Sequence, residues 1–485
     1  MNIKKSIVFA FITILFGACT ATAQKHNINI KINGLSDTDI YLAHHYGNKQ
    51  YLDDTIKLDT KGEGVFKGDS LLPQGIYLVV LPSKNYFEIL IGSDQEFSIE
   101  SNKDDLLKRM QVKGSKENTA FKAYQDYMIT MNEKSQVIQQ KMKENYMNAD
   151  TLVILQDQLK GLDMEVKKEW NKLITENPGT LLESIIKAMI GIEIPEIEVP
   201  ESIQNKDSVK WFHSYNFNQN HYFDNINLAD NRLLRTPILH NKIEYYFTKV
   251  LVQNPDTINK YIDIVAKKAS ANDEVFQYVM RYFINTFQQS TIMGMDKVFV
   301  HVAETYYLSG KVNWLDKETL TKLREQVAKL KFNLIGGIAQ DLKMETVTGE
   351  YARLSEIKAK FTLLMFWEPD CGHCKKVVPQ VWEIYNKFDR NEFEVLAVYT
   401  QADKTEWMKY IEENHIDWIN CWDPYNLTNF RFFYNVYSTP TLYLLDKDKK
   451  IVAKRIGAET VENILNIELG KKKISEIDFT TQENE

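Results

Sequence analysis

Two thiols lie two residues apart in Cys371-Gly372-His373-Cys374. Before them comes the apolar run Phe361–Trp367, with the look of a buried strand, and after them Lys375-Lys376-Val377-Val378 reads as helix. The spacing predicts a helix over 371–388 that opens on the first cysteine. Thiolates, not thiols, attack disulfides, and a helix N-terminus stabilises negative charge. Two intervening residues let one sulfur reach the other across a helical turn, so the pair can close to a disulfide or open to a dithiol. The pattern points to electron exchange with other thiols. A protonated His373 would favour the Cys371 thiolate and the reduced form, whereas Glu368 and Asp370 push the other way. Dithiol proteins span about −270 to −120 mV, and about 30 mV is worth about 1.4 kcal/mol. A single such contact is large enough to move the poise, so these residues leave the direction of electron flow open.

The remaining cysteines narrow the reading. Only Cys19 and Cys421 join the pair in 485 residues, too few for a disulfide framework. Cys19 falls in an N-terminal export signature: Lys4 and Lys5, an apolar stretch from Ile7 to Phe16, and the small-x-small site Ala21-Thr22-Ala23. This predicts a signal peptide over 1–23 and export to a periplasm or cell envelope. Phe16-Gly17-Ala18-Cys19 also resembles a lipoprotein box, which would make Cys19 a lipid-bearing membrane tether. Cys421 is expected to be a small buried residue.

A net charge of −7 with both signs interspersed gives no case for nucleic-acid binding. At 44% hydrophobic and 26% charged, the composition is globular, and the length implies several domains. Residues 24–103 show short alternating runs such as Asn27–Ile32, Ile76–Leu81 and Tyr86–Ile91, broken by glycines, and predict an all-β domain, a small antiparallel sandwich or sheet. Residues 104–331 carry helical periodicity, with a break near Asn148 and a loop around Pro195 and Pro200. Their aromatic residues, among them Trp211, Phe212, Tyr246, Phe247 and Phe283, are expected to be core. Residues 332–485 alternate strands with helices, an α/β architecture.

That last region resembles the thioredoxin-fold domain of the TlpA/ResA class. The resemblance rests on Trp367 four residues before Cys371, on the two cysteines, on Pro379 in the following helix and on Thr439-Pro440-Thr441. Gly337–Leu342 and Leu354–Ile357 resemble the strand and helix this class places before its core. The preceding regions resemble, more loosely, the extra domains of multidomain thiol–disulfide oxidoreductases of Gram-negative envelopes. The resemblance implies that Cys371 attacks, Cys374 resolves, Pro440 is cis and faces the dithiol, and Trp367 and Thr439 meet substrate. It implies a reductase or isomerase of exported protein disulfides, with no cofactor and no metal, fed by an electron-donating membrane redox partner. One departure stands out. Where thioredoxins carry a buried Asp six residues before the first cysteine, this chain has Met365, which leaves Glu368 as the nearest acid for moving the Cys374 proton.

Other chemistries fit less well. Zinc on Cys371, Cys374, His415 and Cys421 lacks a second tight pair. A peroxidatic cysteine would want a hydroxyl residue where Glu368 stands. From a different class, an envelope binding or scaffold protein would use 24–331 to recruit a partner, with the dithiol in a secondary role.

Overall fold

The structure is a computed structural model that describes residues 25–472. The expected signal peptide and Cys19 lie outside the described residues. The chain divides into two compact units, Met1–Val250 and Leu251–Glu485. No helix among the described residues is long and apolar enough to cross a membrane.

The first unit begins with eight strands: β1 (His26–Asn33), β2 (Asp39–Tyr46), β3 (Lys49–Lys57), β4 (Glu63–Gly68), β5 (Gly75–Val80), β6 (Tyr86–Ile91), β7 (Glu96–Asn102) and β8 (Gln111–Lys113). They form two four-stranded sheets, ordered β4-β1-β7-β8 and β3-β2-β5-β6. Strand β1 alternates buried Ile28, Ile30 and Ile32 with exposed Asn27 and Asn29, the period of a half-buried strand. Ile28, Phe66 and Phe97 of one sheet share a core with Ile40, Val79 and Phe87 of the other, which makes a sandwich. The expected antiparallel order has one exception, because β1 runs parallel to β7 with Ile28 opposite Phe97.

Helices α1 (Lys116–Glu144) and α2 (Ala149–Glu176) follow, capped by the side chains of Ser115 and Asn148. The expected break falls between them. Next come α3 (Leu181–Met189), α4 (Lys206–His221) and α5 (Ile238–Tyr245). Residues 191–200 hold no helix or strand, in keeping with Pro195 and Pro200. The aromatic stripe divides. Tyr246 and Phe247 are core, but Trp211 and Phe212 are 66% and 60% exposed. Helix α4 buries no residue, so its rings pack along its own surface, with Trp211 stacked on Tyr215 at 5.4 Å.

The second unit opens with α6 (Pro255–Ala269), α7 (Asp273–Gln288), α8 (Asp296–Val302) and α9 (Lys317–Lys331). The α/β layer then comprises β9 (Lys343–Thr346), β10 (Tyr351–Arg353), β11 (Phe361–Trp367), α10 (Cys374–Tyr385), β12 (Phe393–Tyr399), α11 (Thr405–Glu413), β13 (Ile419–Trp422), the single turn α12 (Phe430–Phe433), β14 (Thr441–Asp446), β15 (Ile451–Lys454) and α13 (Ala458–Glu468). Its seven strands are ordered β10-β9-β13-β12-β11-β14-β15. Strand β11 pairs parallel with β12 and antiparallel with β14. Leu354–Glu356 forms one 3₁₀ turn, and the lead-in strand is β9 rather than Gly337–Leu342.

All seven residues of β11 are buried, because both faces of the sheet are covered. Leu363, Met365 and Trp367 enter one core together with Cys374, Val378 and Trp407. Leu364 and Phe366 enter the opposite core with Phe430, Tyr434 and Cys421. Burying each such side chain contributes about 1.5–3 kcal/mol, so the strand is a rigid base for the loop that follows it. Helix α8 is fastened to the sheet by a buried cation. Lys454 Nζ donates to Asp296, to the Asn333 carbonyl at 2.6 Å and to Asn333 Oδ1 at 2.8 Å.

Candidate active site

The dithiol stands where β11 ends and α10 begins. The regular helix starts at Cys374 rather than Cys371. Residues 371–373 form the lead-in turn, tied to the helix by Lys375 N–H donating to the Cys371 carbonyl at 3.0 Å. Pro379 lies inside the helix. Cys371 is partly exposed and Cys374 is buried, and both are free thiols. The Thr439–Pro440 peptide bond is cis, and the Cys371 thiol donates to the Thr439 carbonyl at 3.2 Å. The motif and the Thr439-Pro440 loop, 68 positions apart, thus meet at one sulfur.

The two thiols are shifted in opposite directions. Burial raises the Cys371 pKa, but the Cys374 backbone N–H and further hydrogen bonds, including one from the His373 backbone, outweigh it, and the result lies below the ordinary thiol value. Burial pushes Cys374 up to about 12, against the Glu368 backbone N–H. Cys371 is thus the readier of the two to ionise.

The other expected residues fall as follows. His373 is exposed and caps α10 without a side-chain hydrogen bond. It acts on Cys371 through its backbone N–H, whereas the expectation rested on its imidazole. Trp367, expected to meet substrate, is 0% exposed. Its position on β11 points it into the core with Met365, where it packs edge-on against Tyr410 at 5.3 Å. Met365 occupies the acid's place as a fully buried apolar side chain. Glu368 is half-buried and accepts the Thr400 hydroxyl at 2.5 Å. Thr400 had no signal in the sequence, because it lies 32 positions away on a separate element. Arg431 donates to the Thr400 carbonyl at 2.6 Å.

Cys421 sits in the core on the far face of the sheet from Cys374, and burial raises its thiol to about 12. It takes no part in the dithiol site. Among the described residues no group of three or more His, Cys, Asp or Glu side chains could hold a metal ion.

Comparison with known proteins bears on the same region. Residues 359–451 match a thioredoxin-like family model, while 26–121 and 169–330 each match a domain of unknown function, DUF4369 and DUF5106. The thiol-disulfide oxidoreductase ResA of Bacillus cereus is 31% identical over 133 residues, which cover 27% of this chain and 74% of that protein. The thioredoxin-like protein YneN of Bacillus subtilis is 30% identical over 162 residues, covering 32% of this chain and 86% of that one. A crystal structure of a thioredoxin-like protein from Bacteroides caccae aligns over 57% of this chain and 98% of its own, at 21% identity and a TM-score of 0.43. The chain belongs to the thioredoxin-like thiol–disulfide oxidoreductases.

Proposed function

We propose that this chain is an exported protein-disulfide oxidoreductase, a reductase or isomerase working through Cys371 and Cys374. The observation that carries the reading is the contrast between the two thiols. Cys371 is accessible and held below the ordinary thiol range, and Cys374 beside it is buried and held protonated up to about 12.

The chemistry follows from that contrast. The Cys371 thiolate attacks one sulfur of a substrate disulfide, forming a mixed disulfide and expelling the other substrate sulfur as thiolate. Cys374 then loses its proton and attacks Cys371, which frees the second substrate thiolate and closes the Cys371–Cys374 disulfide. Two electrons pass from the dithiol to the substrate, and an electron-donating membrane partner restores the dithiol. In isomerase action the substrate's own second thiol resolves the mixed disulfide, with no net electron transfer.

Cys374 needs a base before it can attack. Glu368 is the residue we assign to that role, with Thr400 as its positioning partner. The Thr439-Pro440 loop supplies backbone for the substrate strand to pair with, because Thr439 already faces the attacking sulfur. Lipid anchoring through Cys19 would keep the enzyme at the envelope surface.

The test is the reduction potential of the couple, by equilibration of the purified mature chain with glutathione or dithiothreitol. A value near about −270 mV marks a reductase, and one near about −180 mV marks an isomerase. A pair that does not cycle overturns the enzymatic reading.

A further inference from the structure

Within the second unit, a cavity of about 700 Å³ lies between the end of α7, the segment leading into α8, and the edge of the sheet at β15. Its walls mix amide side chains, Gln288, Gln326 and Asn435, with the half-exposed apolar Ile292 and Met293. Asn435 and Tyr437 line it from the loop that leads, two residues on, to Thr439 and the Cys371 sulfur. The cavity and the redox centre therefore share one loop.

Three charged residues line the cavity: Asp296, Lys454 and Arg455. Asp296 and Lys454 form an ion pair with each other, and Lys454 is buried. Arg455 is left as the surplus charge. It is exposed on the rim and has no carboxylate partner among the described residues. Its guanidinium lies 4.5 Å from the centroid of the Tyr437 ring, donates to the Tyr437 hydroxyl, and donates to the Asn435 carbonyl at 2.9 Å. All of these partners are neutral, so the cation is oriented without being neutralised. Its backbone is also left-handed, with φ of 53°, an uncommon conformation for a long side chain.

We propose that this cavity and Arg455 form a subsite for an acidic side chain of the substrate polypeptide, next to the reacting disulfide. The inference rests on the thiol–disulfide exchange assigned above to Cys371. Thr439 to Tyr437 is two residues of loop, and Arg455 lies against Tyr437. Two residues of extended chain at about 3.3 Å each separate Thr439 from Tyr437, so a substrate strand running beside this loop passes the guanidinium about two to three residues from the reacting sulfur. A substrate strand paired along the Thr439 loop would bring a carboxylate at that separation onto the guanidinium, in the bidentate pairing that arginine favours. The amide-lined cavity behind it accepts the remainder of the acidic side chain and the neighbouring backbone.

The test uses the full mature chain and two disulfide-linked peptides that differ only in carrying Glu or Lys at the third position on both sides of the cysteine. Turnover is measured with wild type, Arg455→Gln, Arg455→Lys and Arg455→Glu, and the alkylation rate of Cys371 in each variant reports an intact redox centre. The wild type should favour the Glu peptide by about tenfold, chiefly in KM, as expected for one charge-assisted contact. Arg455→Lys should keep part of that preference, Arg455→Gln should abolish it, and Arg455→Glu should reverse it. Equal turnover of the two peptides by the wild type, or a preference that survives in Arg455→Gln, overturns the acidic subsite alone. Failure of the wild type to reduce either peptide overturns the exchange reading at Cys371, and the subsite with it.

Discussion

The Cys371 thiol and the Thr439 carbonyl oxygen are 3.2 Å apart. This contact joins the start of α10 to the loop before β14, two segments brought together by the antiparallel pairing of β11 with β14. It places the sulfur we propose as the attacking one beside the backbone of that loop. The Cys371-Gly372-His373-Cys374 motif and the Thr439-Pro440 loop thereby meet at one place.

A resolving thiol that is removed should leave the first step intact and block the second. Cys374→Ala is expected to accumulate a mixed disulfide between Cys371 and a substrate polypeptide, and Cys371→Ala is expected to accumulate none. Non-reducing electrophoresis of the two variants after incubation with a disulfide protein reads this directly. Equal trapping by both variants would contradict the assigned order of attack.

The opposed thiols also predict opposite linkages to pH. Cys371 ionises more readily folded than unfolded, so its contribution to stability is present above the ordinary thiol value of 9.0 and is lost as pH falls through the lowered one. Cys374 is held protonated, so its contribution is whole below 9.0 and is lost as pH rises toward about 12. Denaturant midpoints should therefore fall more steeply above pH 9 in wild type than in Cys374→Ala. Alkylation should modify Cys371 first, at a pH below the ordinary thiol value, and leave Cys374 unmodified in the folded chain.

If Glu368 serves Cys374 as base, Glu368→Gln should slow resolution of the mixed disulfide by about a hundredfold. The rate at which Cys371 is alkylated should stay as in wild type. Thr400→Val should give a smaller effect of the same kind, because it removes only the hydroxyl that orients the carboxylate. Stopped-flow Trp fluorescence of single-turnover reduction separates the two steps. An unchanged resolution rate in Glu368→Gln would remove this residue from the mechanism.

The buried cation on β15 is expected to be structural. Lys454→Met leaves Asp296 and the Asn333 carbonyl without their donor and should cost about 3–5 kcal/mol, as for breaking a buried pair on one side. Lys454→Met combined with Asp296→Leu should recover a substantial part. Urea denaturation followed by circular dichroism measures both. A loss below about 1 kcal/mol for the single variant would make the pair a solvated one.

The thiol–disulfide oxidoreductase class was legible in the chain because its signal is local. Cysteine spacing, an apolar strand before it and a helical pattern after it all fall within 361–385, where short-range periodicity is a sufficient signal. The β, helical and α/β regions followed for the same reason, through their different periods. What the sequence left undetermined depends on contacts between distant segments. Parity along β11 turned Trp367 into the core and put Met365 in the same core as Cys374. The burial that raises one thiol and the backbone N–H groups that lower the other exist only once α10 is seated on the sheet. Thr400 came to Glu368, and Arg455 to Tyr437, across 32 and 18 positions. Periodicity reports which face of an element is apolar. Which side chain meets which is decided by packing, because desolvation and hydrogen bonding act through space.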